Sequence, residues 1–381
     1  MIAYLDNSST TRQFAEVTDV VSKLSREVYG NPSSLHGLGM QAEKIIKSAK
    51  KTVLETIGAD ALDNFIFTSG GTEANNLAIL GYIRPKLKRN PHIITSKIEH
   101  PSVLEVFKTL EEEGAEVSYI GTDSNGIIDI DELKNAVCEK TELISIMLVN
   151  NEVGSIQPIK KISKLLKEKN PKIKIHVDAV QAFCKIPVNV KNMGIDMMSV
   201  SGHKIHGPKG IGGLYVKKGT NLKPILYGGH QQQNLRSGTE NPIAIGGFEK
   251  AIAINMESFK EKTENVKKLK SMIISELSKI DCCKINCDDN ENYAPNIINA
   301  SFVGLRSETI LHGLEAEGVY VSTGSACSSN KPQLSHVLLA MGYDKKRIDS
   351  AIRLSLSLET TEEEVIYALE KIKETVKKLS I

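Results

Sequence analysis

Between about residue 40 and residue 216 the chain alternates segments of helical and strand periodicity, and this alternation restricts the fold more than any other feature. Met40 to Ile57 carries apolar residues at helical spacing (Ile45, Ile46, Ala49, Val53, Leu54), and Gly58 offers a stop. Short apolar strands are predicted at 65–68, 92–95, 116–120, 143–149, 173–177, 196–200 and 212–216. Helices are predicted between them at 73–87, 102–113 and 159–168. Strands separated by helices cannot pair as hairpins, so the pattern predicts an α/β fold with a mostly parallel sheet covered on both faces. Beyond it lie a helix predicted from Pro242 to Leu277, a second α/β unit from about 280, and a last helix from Thr361 to Leu379. Thr361 and Glu364 have the spacing of a capping box there.

Length and charge narrow the function classes. At 381 residues the chain exceeds one ordinary core, so two domains are expected. The 48 Lys+Arg residues nearly balance 46 Asp+Glu, leaving +2, so no global field recruits nucleic acid or an anionic membrane. No apolar run approaches the roughly 20 residues that span a bilayer. The first residues lack the basic and apolar segments of a secretory leader, which predicts a cytoplasmic protein. Six cysteines in such a chain are expected to be free thiols. Cys282, Cys283 and Cys287 lack the paired spacing of a zinc site, and His203 and His206 share that weakness, so no resident metal is predicted.

The stretch Ser201-Gly202-His203-Lys204 sets a lysine after an apolar run and before a Gly/Pro turn. Low-dielectric surroundings favour the neutral amine, which forms Schiff bases. Upstream, Asp178 closes the run 175–177 and Gln181 follows. An aspartate and a lysine in this order suit pyridoxal phosphate, one for the ring nitrogen and one for the aldehyde. Thr68-Ser69-Gly70-Gly71-Thr72-Glu73 joins a strand to a helix, as an anion site would; Thr72 is equally readable as a plain helix cap. Gly202 to Gly207 has P-loop spacing, but Pro208 stands where the lysine belongs.

His100, between Glu99 and Pro101, is either a ring-stacking or proton-transfer group, or an ordinary residue at a helix start. Asn150 and Asn151 either fix a ligand or build a turn. Cys327, in a run of small and hydroxylic residues, is either a candidate nucleophile on an exposed loop or a small buried residue, as cysteine often is. Arg353, in an apolar-flanked strand, needs an anion such as a substrate carboxylate. The glycine-bearing stretch 227–239 reads as a functional loop.

Together these stretches resemble the cysteine desulfurases of the NifS/IscS type, within the fold-type I pyridoxal phosphate enzymes. The resemblance is carried by Tyr4-Leu5-Asp6-Asn7, Gly30-Asn31-Pro32, Thr68 to Asn76, Glu99-His100, Val149 to Gly154, His176 to Gln181, Ser199 to Gly213, Arg236-Ser237-Gly238-Thr239 and Gly324-Ser325-Ala326-Cys327. It implies a large cofactor domain over 15–258 with a seven-stranded sheet. It also implies a small domain of 1–14 and 259–381 that carries the cysteine loop at about 322–332.

By the same resemblance, Lys204 holds pyridoxal 5'-phosphate as a Schiff base, Asp178 faces the ring nitrogen, and His100 stacks on the ring. Gln181 and Asn151 address the ring hydroxyl or the substrate. Gly71, Thr72, Ser201 and His203 hold the phosphate, joined by Thr239 from the partner subunit of a homodimer, and Arg353 grips the carboxylate of L-cysteine. Cys327 takes up the sulfur as a persulfide, passes it to an iron–sulfur scaffold or a tRNA-thiolation enzyme, and is a candidate transient iron–sulfur ligand. The alternative is another enzyme of this fold, an aminotransferase or selenocysteine lyase. One departure from the family pattern is His230 to Leu235, at the rim of the expected site.

Overall fold

Seven strands form the central sheet of the computed structural model, which describes residues 1–323 and 334–380. In sheet order they are Asn64–Thr68, Gly212–Val216, Met197–Ser201, Lys174–Asp178, Thr141–Met147, His92–Ser96 and Glu116–Ile120. Only Gly212–Val216 runs against its two neighbours; the remaining pairings are parallel. The interior strands are rich in Ile, Val, Met and Leu because both faces are buried, and the polar residues among them pair across strands: His176 lies 2.7 Å from Ser145 Oγ and 2.9 Å from Ser199 Oγ. Leu143 and Met197 face one core with Leu77 and Phe107, while Ile144 and Val177 face another with Val53 and Phe248. Gly213 is required by close approach, since a Cβ there would lie 2.0 Å from Phe65 Cζ.

A second sheet is antiparallel, in the order Ser322–Thr323, Ala351–Ser355, Ile297–Phe302, Cys283–Ile285. It has its own core, in which Ile298, Phe302, Ile310, Ile352 and Leu354 pack with Ala3 and Leu5 from the N-terminus. The first strand, Ala3–Tyr4, pairs in parallel with Val319–Tyr320. Thr361 caps the last helix, Glu362–Leu379, in a complete capping box with Glu364.

Where the observed elements differ from the predicted ones, a local cause is visible. The single helix expected from Pro242 to Leu277 is two, Pro242–Met256 and Phe259–Leu277. Glu257 is extended and Ser258 is left-handed at φ +53°, which turns the chain from the large sheet to the small one. The first of these helices is buried on several sides, against the helices Ala15–Glu27 and Gly37–Thr56. The helix predicted at 73–87 begins at Gly71, ends at Ile83 and passes into a 3-10 turn, Arg84–Arg89, whose Pro85 fits a first turn. No helix among the described residues is long and apolar enough to cross a membrane.

Candidate active site

The parallel strands end at one edge of the sheet, where ligands of open α/β folds bind. Asp178 and Ser201 are the last residues of adjacent strands, and Thr68 and Ser96 close two more at the same edge. Lys204 follows Ser201 in a single 3-10 turn, Gly202–Lys204. His100 follows the strand ending at Ser96 and caps the helix Pro101–Glu112.

The helix Gly71–Ile83 points its N-terminus at this edge, and its cap residue Gly70 offers no side chain. The sequence left Thr72 as a cap or an anion-site residue; the cap position falls to Gly70 instead. A Cβ at Gly71 would lie 2.7 Å from Val180 Cγ2 and 3.6 Å from Ser201 Cβ, so glycine keeps the space beside Ser201 open. Ser201 Oγ is buried without a hydrogen-bond partner among the described residues. A buried hydroxyl beside uncapped amide donors is what a phosphate oxygen would satisfy, so these residues fit the phosphate of pyridoxal phosphate. Arg236 Nε donates to Glu73 Oε1 at 2.9 Å, and Ser69 N donates to Glu73 Oε2 at 2.7 Å.

Asp178 is held on both oxygens. Val180 N donates to Oδ1 at 2.9 Å and Asn75 Nδ2 to Oδ2 at 2.8 Å. Asn75 Nδ2 also reaches Ser102 Oγ at 2.9 Å, and Ser102 Oγ is 2.8 Å from His100 Nδ1. Since Nδ1 also accepts from Ser102 N at 3.1 Å, the neutral imidazole carries its hydrogen on Nε2. Burial lowers the His100 pKa, opposed by the Asp178 charge and assisted by Lys204 and His336. His100 thus opens a helix and lies within electrostatic reach of Asp178 and Lys204. His203 is pushed down to about 4 by burial and then by Lys204, Lys209 and Lys185.

Lys204 Nζ donates to the carbonyls of Ser8 and Ser9, the latter at 2.7 Å. Both ends of the Gln181 amide are taken as well: Nε2 donates to Ser8 O at 2.9 Å and Oε1 accepts from Lys185 Nζ at 2.8 Å. Burial, with Lys204 and Arg353 nearby, pushes Lys185 down to about 7. Arg353, on the strand Ala351–Ser355, donates through Nη1 to Asn151 O and through Nη2 to Asp6 Oδ1 and Ser9 Oγ, each at 2.8 Å. Of the two asparagines, Asn150 builds the turn, accepting from Glu152 N at 2.9 Å and Val153 N at 3.0 Å, while Asn151 is half-buried beside Arg353.

Two buried carboxyls underlie this edge. Burial pushes Glu99 up to about 8, with the Asp178 charge adding to the rise and bonds from Ser96 and Met147 N opposing it. Glu152 is also raised by burial, and it accepts from Ser335 Oγ at 2.5 Å. His336 Nε2 donates to Glu99 O at 2.9 Å.

Not every predicted residue joins the cluster. Cys327 lies outside the described residues, as does most of the predicted loop at 322–332. Thr239 is exposed, past the turn that contains Arg236. His203 and His206 diverge: His203 Nδ1 meets Thr10 Oγ1 at 3.2 Å, while His206 stacks on Phe14 at 4.2 Å. Cys283 sits in the core of the small sheet, its thiol pushed up to about 12 mainly by burial. In the departing stretch, Gln232 is buried and its Oε1 accepts from Phe67 N at 3.0 Å, securing the edge strand of the sheet. Asn75, Ser102, Asp6, Ser9 and Lys185 received no role from the sequence. Asp6 and Asn75 carried a signal, since both lie in stretches that bear the family resemblance, and Asn75 follows Gly71 by one helical turn.

The class-V aminotransferase family matches residues 3–367. The cysteine desulfurase IscS of Dictyoglomus turgidum is 43% identical over 377 residues, covering 99% of this chain and 95% of its own. That of Methanosarcina thermophila is 42% identical, covering 99% and 92%. Among solved structures, a NifS-like protein superimposes with a TM-score of 0.94 at 39% identity, with 100% of both chains covered. SspA in complex with cysteine gives a TM-score of 0.81 at 32% identity, covering 94% of this chain and 100% of its own. Fold, order of elements and full-length identity agree: the chain belongs to the class-V aminotransferase family, on its cysteine desulfurase branch.

Proposed function

We propose that the chain is a pyridoxal phosphate-dependent cysteine desulfurase that takes sulfur from L-cysteine, releases L-alanine and carries the sulfur as a persulfide on Cys327. One observation carries the reading: Lys204, Asp178 and an open-ended helix N-terminus stand at one edge of the large sheet, and Arg353, from the small sheet, bonds Ser9 Oγ where Lys204 bonds the Ser9 carbonyl. When bound, pyridoxal phosphate supplies an electron sink for the substrate α-carbon. The backbone of Gly71 and Thr72, with Ser201 and His203, holds its phosphate, and the partner subunit's Thr239 completes that grip in a homodimer. Asp178, fixed by Asn75 and Val180, faces the ring nitrogen; His100 covers the ring, and Gln181 and Asn151 line its polar edge.

Arg353 and Asn151 hold the substrate carboxylate. The Lys204 amine removes the α-proton and later returns it. The Cys327 thiolate forms an S–S bond to the substrate sulfur as the C–S bond breaks; that electron pair stays on carbon and is then protonated. His100, neutral and bearing hydrogen on Nε2, exchanges protons with these groups. The persulfide passes to an iron–sulfur scaffold or a tRNA-thiolation enzyme, and Cys327 serves as a transient iron–sulfur ligand. The division into 15–258 and 1–14 with 259–381 belongs to the same proposal, supported by the separate hydrophobic cores.

The test is the Cys327→Ala holoenzyme. It keeps the visible absorbance of the cofactor and the spectral response to cysteine, yet releases no sulfide above background. Sulfide release at the parent rate removes Cys327 from the chemistry. Efficient exchange with a keto acid instead identifies an aminotransferase.

A further inference from the structure

We infer that Asp6 is a resident competitor for the substrate carboxylate: in the free enzyme its side chain occupies the Arg353 donor that the carboxylate must take. The inference rests on the proposed role of Arg353. That guanidinium is built in from three directions. Nη1 is committed to Asn151 O, Nη2 is shared between Asp6 Oδ1 and Ser9 Oγ, and Nε is buried without a partner among the described residues. Asp6 is its one ion-pair partner among the described residues, at 2.8 Å.

The exposures of the two side chains differ in the sense exchange requires, Arg353 at 9% and Asp6 at 21%. A nearly buried guanidinium needs an anion at all times, whereas a carboxylate with a path to water can leave. Ser9 Oγ accepts from Arg353 Nη2 and donates to Asp6 Oδ1, each at 2.8 Å, so it supports Asp6 in its place against Arg353. The turn is held rigid by Ser9 N donating to Asp6 O at 3.0 Å. The same turn offers the Ser8 and Ser9 carbonyls to Lys204. One four-residue segment thus meets the two groups that engage the amine and the carboxylate of an amino-acid substrate. A fixed orienting role for Asp6 makes the opposite prediction, because removing its charge would then weaken carboxylate binding.

The experiment uses holoenzyme and L-alanine, read by the shift of the visible cofactor band, alongside KM and kcat for cysteine. Asp6→Asn tightens alanine binding by about three- to tenfold, the scale of one partly exposed ion pair, and lowers KM for cysteine by more than it lowers kcat. Ser9→Ala, a milder change that keeps the charge pair, shifts alanine binding in the same direction by about twofold. Ethylamine, which has no carboxylate, binds parent and Asp6→Asn equally. Weaker or unchanged alanine binding in both variants, or tighter ethylamine binding in Asp6→Asn, overturns the inference. Arg353→Lys is measured separately: if it fails to weaken alanine binding, the carboxylate role of Arg353 itself falls.

Discussion

Asn75 Nδ2 lies 2.8 Å from Asp178 Oδ2 and, with its other hydrogen, 2.9 Å from Ser102 Oγ. Through Ser102 this joins the carboxylate to His100, so the group proposed to face the ring nitrogen and the group proposed to cover the ring share one support. The arrangement follows from the fold. Asn75 stands one turn into the helix Gly71–Ile83, Asp178 ends a neighbouring strand, and Ser102 lies in the first turn of the helix that His100 caps.

Asn75→Ala removes both bonds and leaves Asp178 with one donor. A lost hydrogen bond to a charged, buried acceptor costs about 1–3 kcal/mol, so cofactor affinity falls roughly five- to hundredfold. Titration of apoenzyme with pyridoxal phosphate measures this. Unchanged affinity dissociates Asn75 from the cofactor site.

Ser201→Ala separates cofactor binding from folding. Because Ser201 Oγ has no hydrogen-bond partner among the described residues, its removal leaves the apoenzyme at least as stable as the parent. The same change reduces the rise in melting temperature on adding cofactor, because a phosphate donor is gone. Apo and holo melts of both proteins test the pair of expectations. Equal stabilisation by cofactor in parent and variant contradicts a phosphate contact at Ser201.

Glu99 imposes a pH dependence on stability. Its folded pKa is raised from 4.5 to about 8, chiefly by burial, so the folded protein favours the protonated form. For a raised acid the contribution is fully present below the unfolded value and is lost as pH climbs to the folded one. The loss therefore runs from about pH 4.5 to about pH 8. Glu99→Gln, which still accepts from Ser96 and Met147, flattens this decline. Denaturant midpoints at pH 5 and pH 8 check it, and an equal fall in both proteins rules Glu99 out.

Thr361→Ala tests the capping box of the last helix at a site remote from the chemistry. Loss of the cap to Glu364 N costs about 1 kcal/mol. Thermal melting falls by a few degrees, while the cofactor titration of the variant overlays that of the parent. A variant that also loses cofactor affinity would mean that the small sheet and the site are energetically coupled.

The sequence by itself determined whatever depends on near neighbours. Periodicity marked the seven strands of the large sheet and, Ala15–Glu27 apart, the described α-helices longer than ten residues, and the Thr361–Glu364 spacing marked a cap that forms. The break at Ser258 escaped it, because no glycine or proline marks a left-handed residue whose purpose is to redirect the chain. The identities at Lys204, Asp178 and Arg353 pointed to chemistry, but spacing along the chain could not bring them together; strand order set Lys204 beside Asp178, and the N-terminal segment at Ser9 joined Arg353, from the small sheet, to Lys204. Only the tertiary structure decided that Asp6 meets Arg353 across 347 positions and that Asn75 meets Asp178 across 103. Such contacts leave no periodic trace, since hydrogen bonds and ion pairs depend on distance in space and sequence pattern records only distance along the backbone.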